Sequence, residues 1–178
     1  MSKSIYVWFG ILLCAAWSAS AVAQQDKSTR PSPPAKAECQ LAGGAITVDY
    51  SSPRVKGRKI YGGLVPYGQV WRAGANEATT LVTDTDLTIG GTPVPAGSYT
   101  IFTIPNADKW TLVISKKTGE WGVPYPGSRD DLVRVDMKAS KLPAAVENFV
   151  IAFDSTATGC TLHMDWENTR ASVEIAKK

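Results

Sequence analysis

The stretch at residues 50–80 is the feature that most limits what this chain can fold into. Glycine and proline interrupt it at Pro53, Gly57, Gly62, Gly63, Pro66, Gly68 and Gly74. Proline removes a backbone donor, and glycine is costly inside regular elements, so neither a helix nor a long strand tolerates this density. The stretch therefore predicts a long structured loop, where binding and catalytic side chains are often found.

The rest of the chain is rich in β-strand patterns. Residues 45–50 and 161–167 alternate between apolar and polar side chains, as half-buried strands do. Gly90 and Gly91 between two short β-branched runs indicate a hairpin. Further β-patterned runs lie at residues 79–83, 98–104, 110–115, 132–137 and 171–175. Residues 146–154 fit either a helix face or a strand face, and their β-branched content favours a strand.

About ten short strands at this spacing predict an all-β fold. We expect one antiparallel domain over residues 39–178, of β-sandwich or jelly-roll-like form, with the long glycine-rich loop inserted in it.

The first residues have the pattern of a signal peptide over residues 1–23. Lys3 precedes an apolar run at residues 5–17, which is short for a membrane span, and Ala21-Val22-Ala23 fits a cleavage site. We expect a mature protein that starts at Gln24, is periplasmic or secreted, and is not stably inserted in a membrane. An uncleaved anchor is the alternative. Proline and polar residues at positions 24–38 predict a disordered tether.

The charge of the chain argues against nucleic acid as a partner. The formal net charge is only +3, and no basic field runs through the sequence. The basic residues that are relevant to binding form one local cluster in the long loop.

Two cysteines, Cys39 and Cys160, remain once Cys14 leaves with the signal peptide. An even pair in an exported protein most simply forms a disulfide. It would close a loop of about 120 residues and stabilise the fold by roughly 4–5 kcal/mol. A metal site is the alternative, but tetrahedral zinc needs four ligands and His163 is the single histidine. We predict no metal and no cofactor.

Several motifs together resemble one known family. The run Ser-Pro-Arg-Val-Lys-Gly-Arg-Lys-Ile-Tyr-Gly-Gly-Leu-Val-Pro-Tyr-Gly-Gln-Val-Trp-Arg-Ala-Gly-Ala-Asn-Glu-Ala-Thr begins at Ser52. Pro95-Ala96-Gly97-Ser98-Tyr99-Thr100-Ile101-Phe102-Thr103-Ile104-Pro105 and Trp166-Glu167-Asn168-Thr169-Arg170 follow in order. With these motifs the chain resembles the exported bacterial family called domain of unknown function 2911, over nearly all of residues 46–175. The resemblance implies an exported β-rich domain and no particular activity.

The candidate ligand-binding residues all lie in the long loop: Arg54, Arg58, Trp71, Arg72, Asn76 and Glu77. Arginine suits bidentate contact with carboxylate, sulfate or phosphate, and tryptophan offers a flat face to a ring. We expect the six to converge on one concavity that takes a small polar or anionic ligand, sugar-like or a carboxylate. In the alternative, Trp71 caps the core and Arg72 pairs with Glu77 to hold the loop.

The sequence leaves the function class open and assigns no catalytic residue. His163 falls on the polar face of its strand and is expected to face solvent, so a Ser-His-Asp set is not indicated. A ligand-binding module is the first hypothesis. A hydrolase or isomerase that acts on a sugar-like substrate through Glu77 is the second, and an envelope structural or assembly protein is the third.

Overall fold

The computed structural model describes residues 26–178 and consists almost entirely of antiparallel β-strands. The strands are β1 (Pro34–Leu41), β2 (Gly44–Ser51), β3 (Thr80–Thr83), β4 (Leu87–Ile89), β5 (Thr92–Val94), β6 (Gly97–Ile104), β7 (Lys109–Ser115), β8 (Asp131–Ser155) and β9 (Gly159–Lys177). They form a sheet in the order β1-β2-β3-β6-β7-β8-β9-β4-β5. A 3₁₀ helix at Ser128–Asp130 precedes β8.

The predicted fold class is confirmed as a single, antiparallel, nearly all-β domain. The finer sandwich or jelly-roll form stays a prediction. The hairpin expected at Gly90 and Gly91 joins β4 to β5, and both glycines have positive φ, 54° and 79°. In the part of the chain that the structure describes, no helix is long and apolar enough to cross a membrane.

The first strand lies partly within the segment that was expected to be a disordered tether. β1 begins at Pro34 and pairs with β2 over its whole length, with Ala37 opposite Val48. Its alternate side chains Ala37 and Cys39 are buried, so small residues supply the inward face that a search for large apolar side chains overlooks. The predicted signal peptide and its cleavage site lie outside the described residues.

The last two strands are much longer than expected. Residues 146–154, favoured as a strand, belong to β8, which also contains the predicted strand at residues 132–137. Register shifts interrupt the pairing of β8 with β9 near Val146, and Glu167 in β9 has a φ of 52°. Such irregularities bend a strand pair. Side chains from the two halves of β9 consequently contact each other, as between Thr161 and Glu174.

The predicted long loop connects β2 to β3 and is anchored in the core. Ile60, Tyr61 and Val65 are buried, with exposed fractions of 5% or less. Tyr61 packs edge-on against the fully buried Trp110, with ring centroids 4.9 Å apart. Burial of these three side chains fixes the path of a segment that has no regular structure of its own.

The predicted Cys39–Cys160 disulfide is present and links β1 to the start of β9. Its sequence separation of 121 residues ties the two ends of the domain together.

The expected exposure of His163 is wrong. Its side chain is buried, with Nδ1 3.3 Å from Asp165 and Nε2 3.6 Å from Asp154. Arg170, from the second half of β9, donates two hydrogen bonds to Asp165 at 2.8 and 2.6 Å. The bend in β9 therefore covers a strand face that the alternation pattern alone assigns to solvent.

Candidate functional site

A cavity of about 320 Å³ lies between the β2–β3 loop, the β7–β8 loop and the start of the bend in β9. We call it the Arg72 cavity. The side chains that define it are Arg58, Leu64, Trp71, Arg72, Val123 and Trp166. Its volume falls within the range of small-molecule sites.

Trp71 forms part of the wall and is held from both sides. Its backbone exchanges two hydrogen bonds with Thr103 of β6, at 2.7 and 2.8 Å. Its ring stacks on Trp166 with centroids 5.7 Å apart and packs edge-on against Phe149 at 5.0 Å. Trp71 is half-buried, so it both caps the core and presents a fixed aromatic surface to the cavity.

Arg72 follows Trp71 and brings a positive charge to the same cavity. Burial lowers the pKa of its guanidinium group from the usual value. Nη1 lies 3.5 Å from the carbonyl oxygen of Trp121. Gly122 lets the β7–β8 loop approach, because a Cβ there would lie 3.0 Å from Arg72 Cβ. Within residues 26–178, Arg72 forms no salt bridge with a carboxylate.

Arg58 supplies the second guanidinium group of the cavity, whereas Arg54 does not line it. Arg58 donates through Nε to the carbonyl of Val55 at 3.0 Å and through Nη2 to the carbonyl of Arg54. These bonds to its own loop restrain the exposed side chain. The Arg54 side chain instead lies beside Ser52, and its backbone pairs with Asn148 in an isolated antiparallel β-bridge.

Asn76 and Glu77 contact the N-terminal segment, and neither is among the residues that line the Arg72 cavity. Asn76 donates to the carbonyl of Ser32 at 2.8 Å. Glu77 accepts from Lys27 at 2.9 Å and from Arg30 at 3.0 Å. Hydrogen bonds from Lys27, from its own backbone and from Arg30 lower the pKa of Glu77 to about 2.

The six sequence candidates are thus divided rather than brought into one concavity. Arg58, Trp71 and Arg72 share the Arg72 cavity, while Glu77 lines a separate one of about 170 Å³ beside Lys27. The alternative pairing of Arg72 with Glu77 is also wrong, because Glu77 is paired with the N-terminal segment. A disordered tether, which the sequence predicts for that segment, would place no cation against Glu77.

The sequence reasoning missed Leu64, Val123 and Trp166 as members of the site. Leu64 is 49% exposed and Val123 is 62% exposed, although both are apolar. Apolar residues in loops rich in glycine and proline are a signal that could have identified them. The pattern around Trp166 predicts only a strand. No neighbouring residue indicates that its ring packs against Trp71, which lies 95 positions earlier in the chain.

The cavity is chemically suited to an anion with an apolar part. Guanidinium groups donate hydrogen bonds and carry positive charge, and indole rings provide flat apolar surface. Aspartate, glutamate and histidine are absent from the described lining. In residues 26–178, no group of three or more His, Cys, Asp or Glu side chains is placed to hold a metal ion.

Comparison with known proteins gives a family but no characterised relative. No curated protein and no solved structure matches the chain. Residues 32–175, which include β1 to β9 nearly complete and every described residue of the Arg72 cavity, match the family described as Protein of unknown function (DUF2911). The chain therefore belongs to the DUF2911 family.

Proposed function

We propose that this protein is an exported module that binds a small anionic ligand in the Arg72 cavity. The observation that carries the proposal is the placement of two arginines, Arg58 and Arg72, beside the stacked indoles of Trp71 and Trp166. Among the described residues neither arginine forms a salt bridge with a carboxylate. A carboxylate or a similar anion would supply the counter-charge.

Burial of Arg72 strengthens the proposal. A partly desolvated cation is unfavourable alone, and its interaction with an anion is stronger there than in bulk water. A hydrogen bond from Nη1 to the Trp121 carbonyl, at 3.5 Å, restrains the end of this side chain before any ligand arrives. A pre-positioned donor loses less conformational entropy on binding.

The hydrolase or isomerase alternative has less support from the geometry. It relied on Glu77 as acid, base or nucleophile, but Glu77 lies outside the Arg72 cavity and is neutralised by Lys27 and Arg30. An envelope assembly role would use the exposed side chains at the cavity mouth against a protein partner. Two arginines that line the same cavity favour a small anion over that role.

Export is part of the proposal and has its own support. The Cys39–Cys160 disulfide is typical of an oxidising compartment, and the first residues have a signal-peptide pattern.

A thermal-shift screen against organic acids tests the proposed anion site. A ligand that binds only the native state raises the melting temperature. We expect an upward shift that disappears in Arg72→Gln and persists in Arg129→Gln. Arg129 is an exposed arginine outside the cavity, so it controls for loss of net charge. Equal shifts in both variants, or no shift with any acid, would contradict the proposal.

A further inference from the structure

Two of the exposed large apolar side chains of this domain line the Arg72 cavity. Five large apolar side chains are exposed among residues 26–178: Leu64, Tyr67, Val82, Trp121 and Val123. Leu64 and Val123 line the cavity, and the carbonyl of Trp121 contacts Arg72. The Tyr67 ring packs against Gly62 in the same loop as Leu64. Val82 lies on β3 and does not line the cavity. Clustered exposed apolar groups around a concavity are typical of a binding surface.

The inner wall lacks the groups that a sugar needs. Its polar side chains are Arg58, Arg72 and Ser32, and no carboxylate or amide side chain is among the described lining residues. Sugar hydroxyls donate as well as accept, whereas guanidinium groups only donate. Hydroxyl donors buried here would lack side-chain acceptors other than one serine, and unsatisfied buried donors weaken binding.

Charged and apolar side chains share one site. Arg72 is partly buried and follows Trp71 in the chain, whereas Arg58, Leu64 and Val123 are exposed lining residues. A ligand whose anionic head reaches the arginines would leave its remaining atoms against Leu64, Val123 and the indole of Trp71. Such atoms gain by being apolar, because they remove apolar surface from water on both partners.

We infer that the ligand is a single amphiphilic anion, a carboxylate that carries an apolar chain or ring, and not a sugar acid. This ligand class rests on the proposed anion site and specifies it. The arginines bind the carboxylate head, and Leu64, Val123 and Trp71 contact the apolar portion. A free molecule fits better than a lipid in a bilayer, because Arg72 is partly buried in a cavity and does not lie on a flat exposed face.

Isothermal titration of the chain that begins at Gln24 tests the inference with four titrants. Sodium decanoate, held below its micelle concentration, is compared with sodium acetate, sodium glucuronate and the neutral decyl glucoside. We expect decanoate to bind at least about tenfold more tightly than acetate or glucuronate, since only decanoate buries an apolar chain. Arg72→Gln should abolish decanoate binding, and decyl glucoside should bind weakly.

A matched pair of variants isolates the apolar contact. Val123→Ser should weaken decanoate binding by about tenfold and leave acetate binding unchanged. Val82→Ser makes the same chemical change at an exposed valine that does not line the cavity. It should alter neither the decanoate affinity nor the acetate affinity. Unchanged melting temperatures in both variants show that the fold is intact. Equal decanoate affinity in the two variants would overturn the inference.

The remaining outcomes separate the ligand class from the anion site itself. Glucuronate binding as tightly as decanoate, with the same dependence on Arg72, would overturn the amphiphile and leave the anion site standing. Two outcomes would overturn both the ligand class and the anion site. One is no binding by any titrant, and the other is decyl glucoside binding with the same affinity in the wild type and in Arg72→Gln. Binding to phosphatidylglycerol vesicles without binding to monomeric decanoate would identify a membrane surface instead of a single molecule.

Discussion

The rings of Trp71 and Trp166 stack with an interplanar angle of 15° and centroids 5.7 Å apart. One belongs to the glycine-rich loop and the other to β9, and Trp166 is almost fully buried. The stack joins the wall of the Arg72 cavity directly to the hydrophobic core. The shape of the cavity therefore depends on core packing, and a change at Trp71 should affect stability and binding together.

Trp71→Ala should lower the free energy of unfolding by about 3 kcal/mol and weaken ligand binding. The loss of packing against Trp166 and Phe149 accounts for the first effect, and the loss of cavity wall for the second. Trp121→Ala removes the same side chain where it is 53% exposed, so its cost should stay below about 0.5 kcal/mol. Urea denaturation of both variants measures the difference. Equal costs would contradict the packing role of Trp71.

Glu77→Gln should reduce stability slightly and leave the ligand affinity of the Arg72 cavity unchanged. Its carboxylate is 40% exposed, so its ion pairs with Lys27 and Arg30 are screened and worth less than about 1 kcal/mol. The pKa of Glu77 is lowered from 4.5 to about 2 on folding. Its contribution is therefore present above pH 4.5 and is lost as the pH falls through about 2.

Denaturation curves of the wild type and Glu77→Gln between pH 7 and pH 2 measure this effect. The difference in the free energy of unfolding between the wild type and Glu77→Gln should become smaller only at the acid end of that range. Glu38→Gln, which removes an exposed pair with Lys36, is the matched control. A large fall in affinity or turnover in Glu77→Gln, with unchanged stability, would favour the hydrolase alternative.

Asp165→Asn should cost about 2 kcal/mol of stability. Burial alone would raise the pKa of Asp165, but the neighbouring His163 imidazole and hydrogen bonds from Arg170 outweigh it and lower the pKa to about 2. The variant leaves Arg170 without its bidentate partner next to the buried His163. Asp165 contributes at neutral pH, and its contribution is lost as the pH falls from 3.8 toward about 2.

Asp136→Asn is the control for Asp165→Asn. Its carboxylate also pairs with a cation, Lys109, but is 70% exposed. Its cost should stay within about 0.5 kcal/mol. Thermal unfolding at pH 7 compares the two, and similar melting temperatures would show that the buried network around His163 adds no stability.

Local patterns predicted the parts of the fold that depend on neighbouring residues. The β4–β5 hairpin follows from the tolerance of Gly90 and Gly91 for positive φ. The disulfide follows from the even pair, Cys39 and Cys160, that remains if Cys14 leaves with the predicted signal peptide. Each inference needs only turn chemistry or a residue count, and no knowledge of which strands are neighbours.

The other features depend on contacts between distant parts of the chain. Lys27 and Arg30 neutralise Glu77 from about 50 positions away, and no spacing rule connects them. His163 is buried because β9 bends and brings Arg170 over it, whereas alternation alone predicts exposure. Trp71 and Arg72 line one cavity and are adjacent in sequence, but the position of Trp166 beside them depends on the three-dimensional fold.

Gly90→Ala should destabilise the protein by about 2–3 kcal/mol and more than Gly91→Ala. Both glycines have positive φ, so an added side chain costs about 1–2 kcal/mol in either place. A Cβ at Gly90 would also lie 2.4 Å from Val135 Cγ1, whereas nothing lies within 4 Å of one at Gly91. Chemical denaturation measures both, and equal losses would mean that Val135 moves away freely.

The protein isolated after export should begin at Gln24 and contain one disulfide between Cys39 and Cys160. The first expectation follows from the cleavage pattern at Ala21-Val22-Ala23, and the second from the bond between β1 and β9. Intact mass before and after alkylation, without and with reduction, measures both.

Reduction should expose two thiols and lower stability by about 2–5 kcal/mol, because the unfolded chain regains the freedom of a 121-residue loop. Cys39→Ser/Cys160→Ser should show the same loss without reductant, and Ser155→Ala, a change at an exposed strand end, should show none. Two free thiols in the exported protein would contradict the Cys39–Cys160 pairing and the oxidising compartment inferred from it. A mass that includes the first 23 residues would contradict cleavage of the signal peptide.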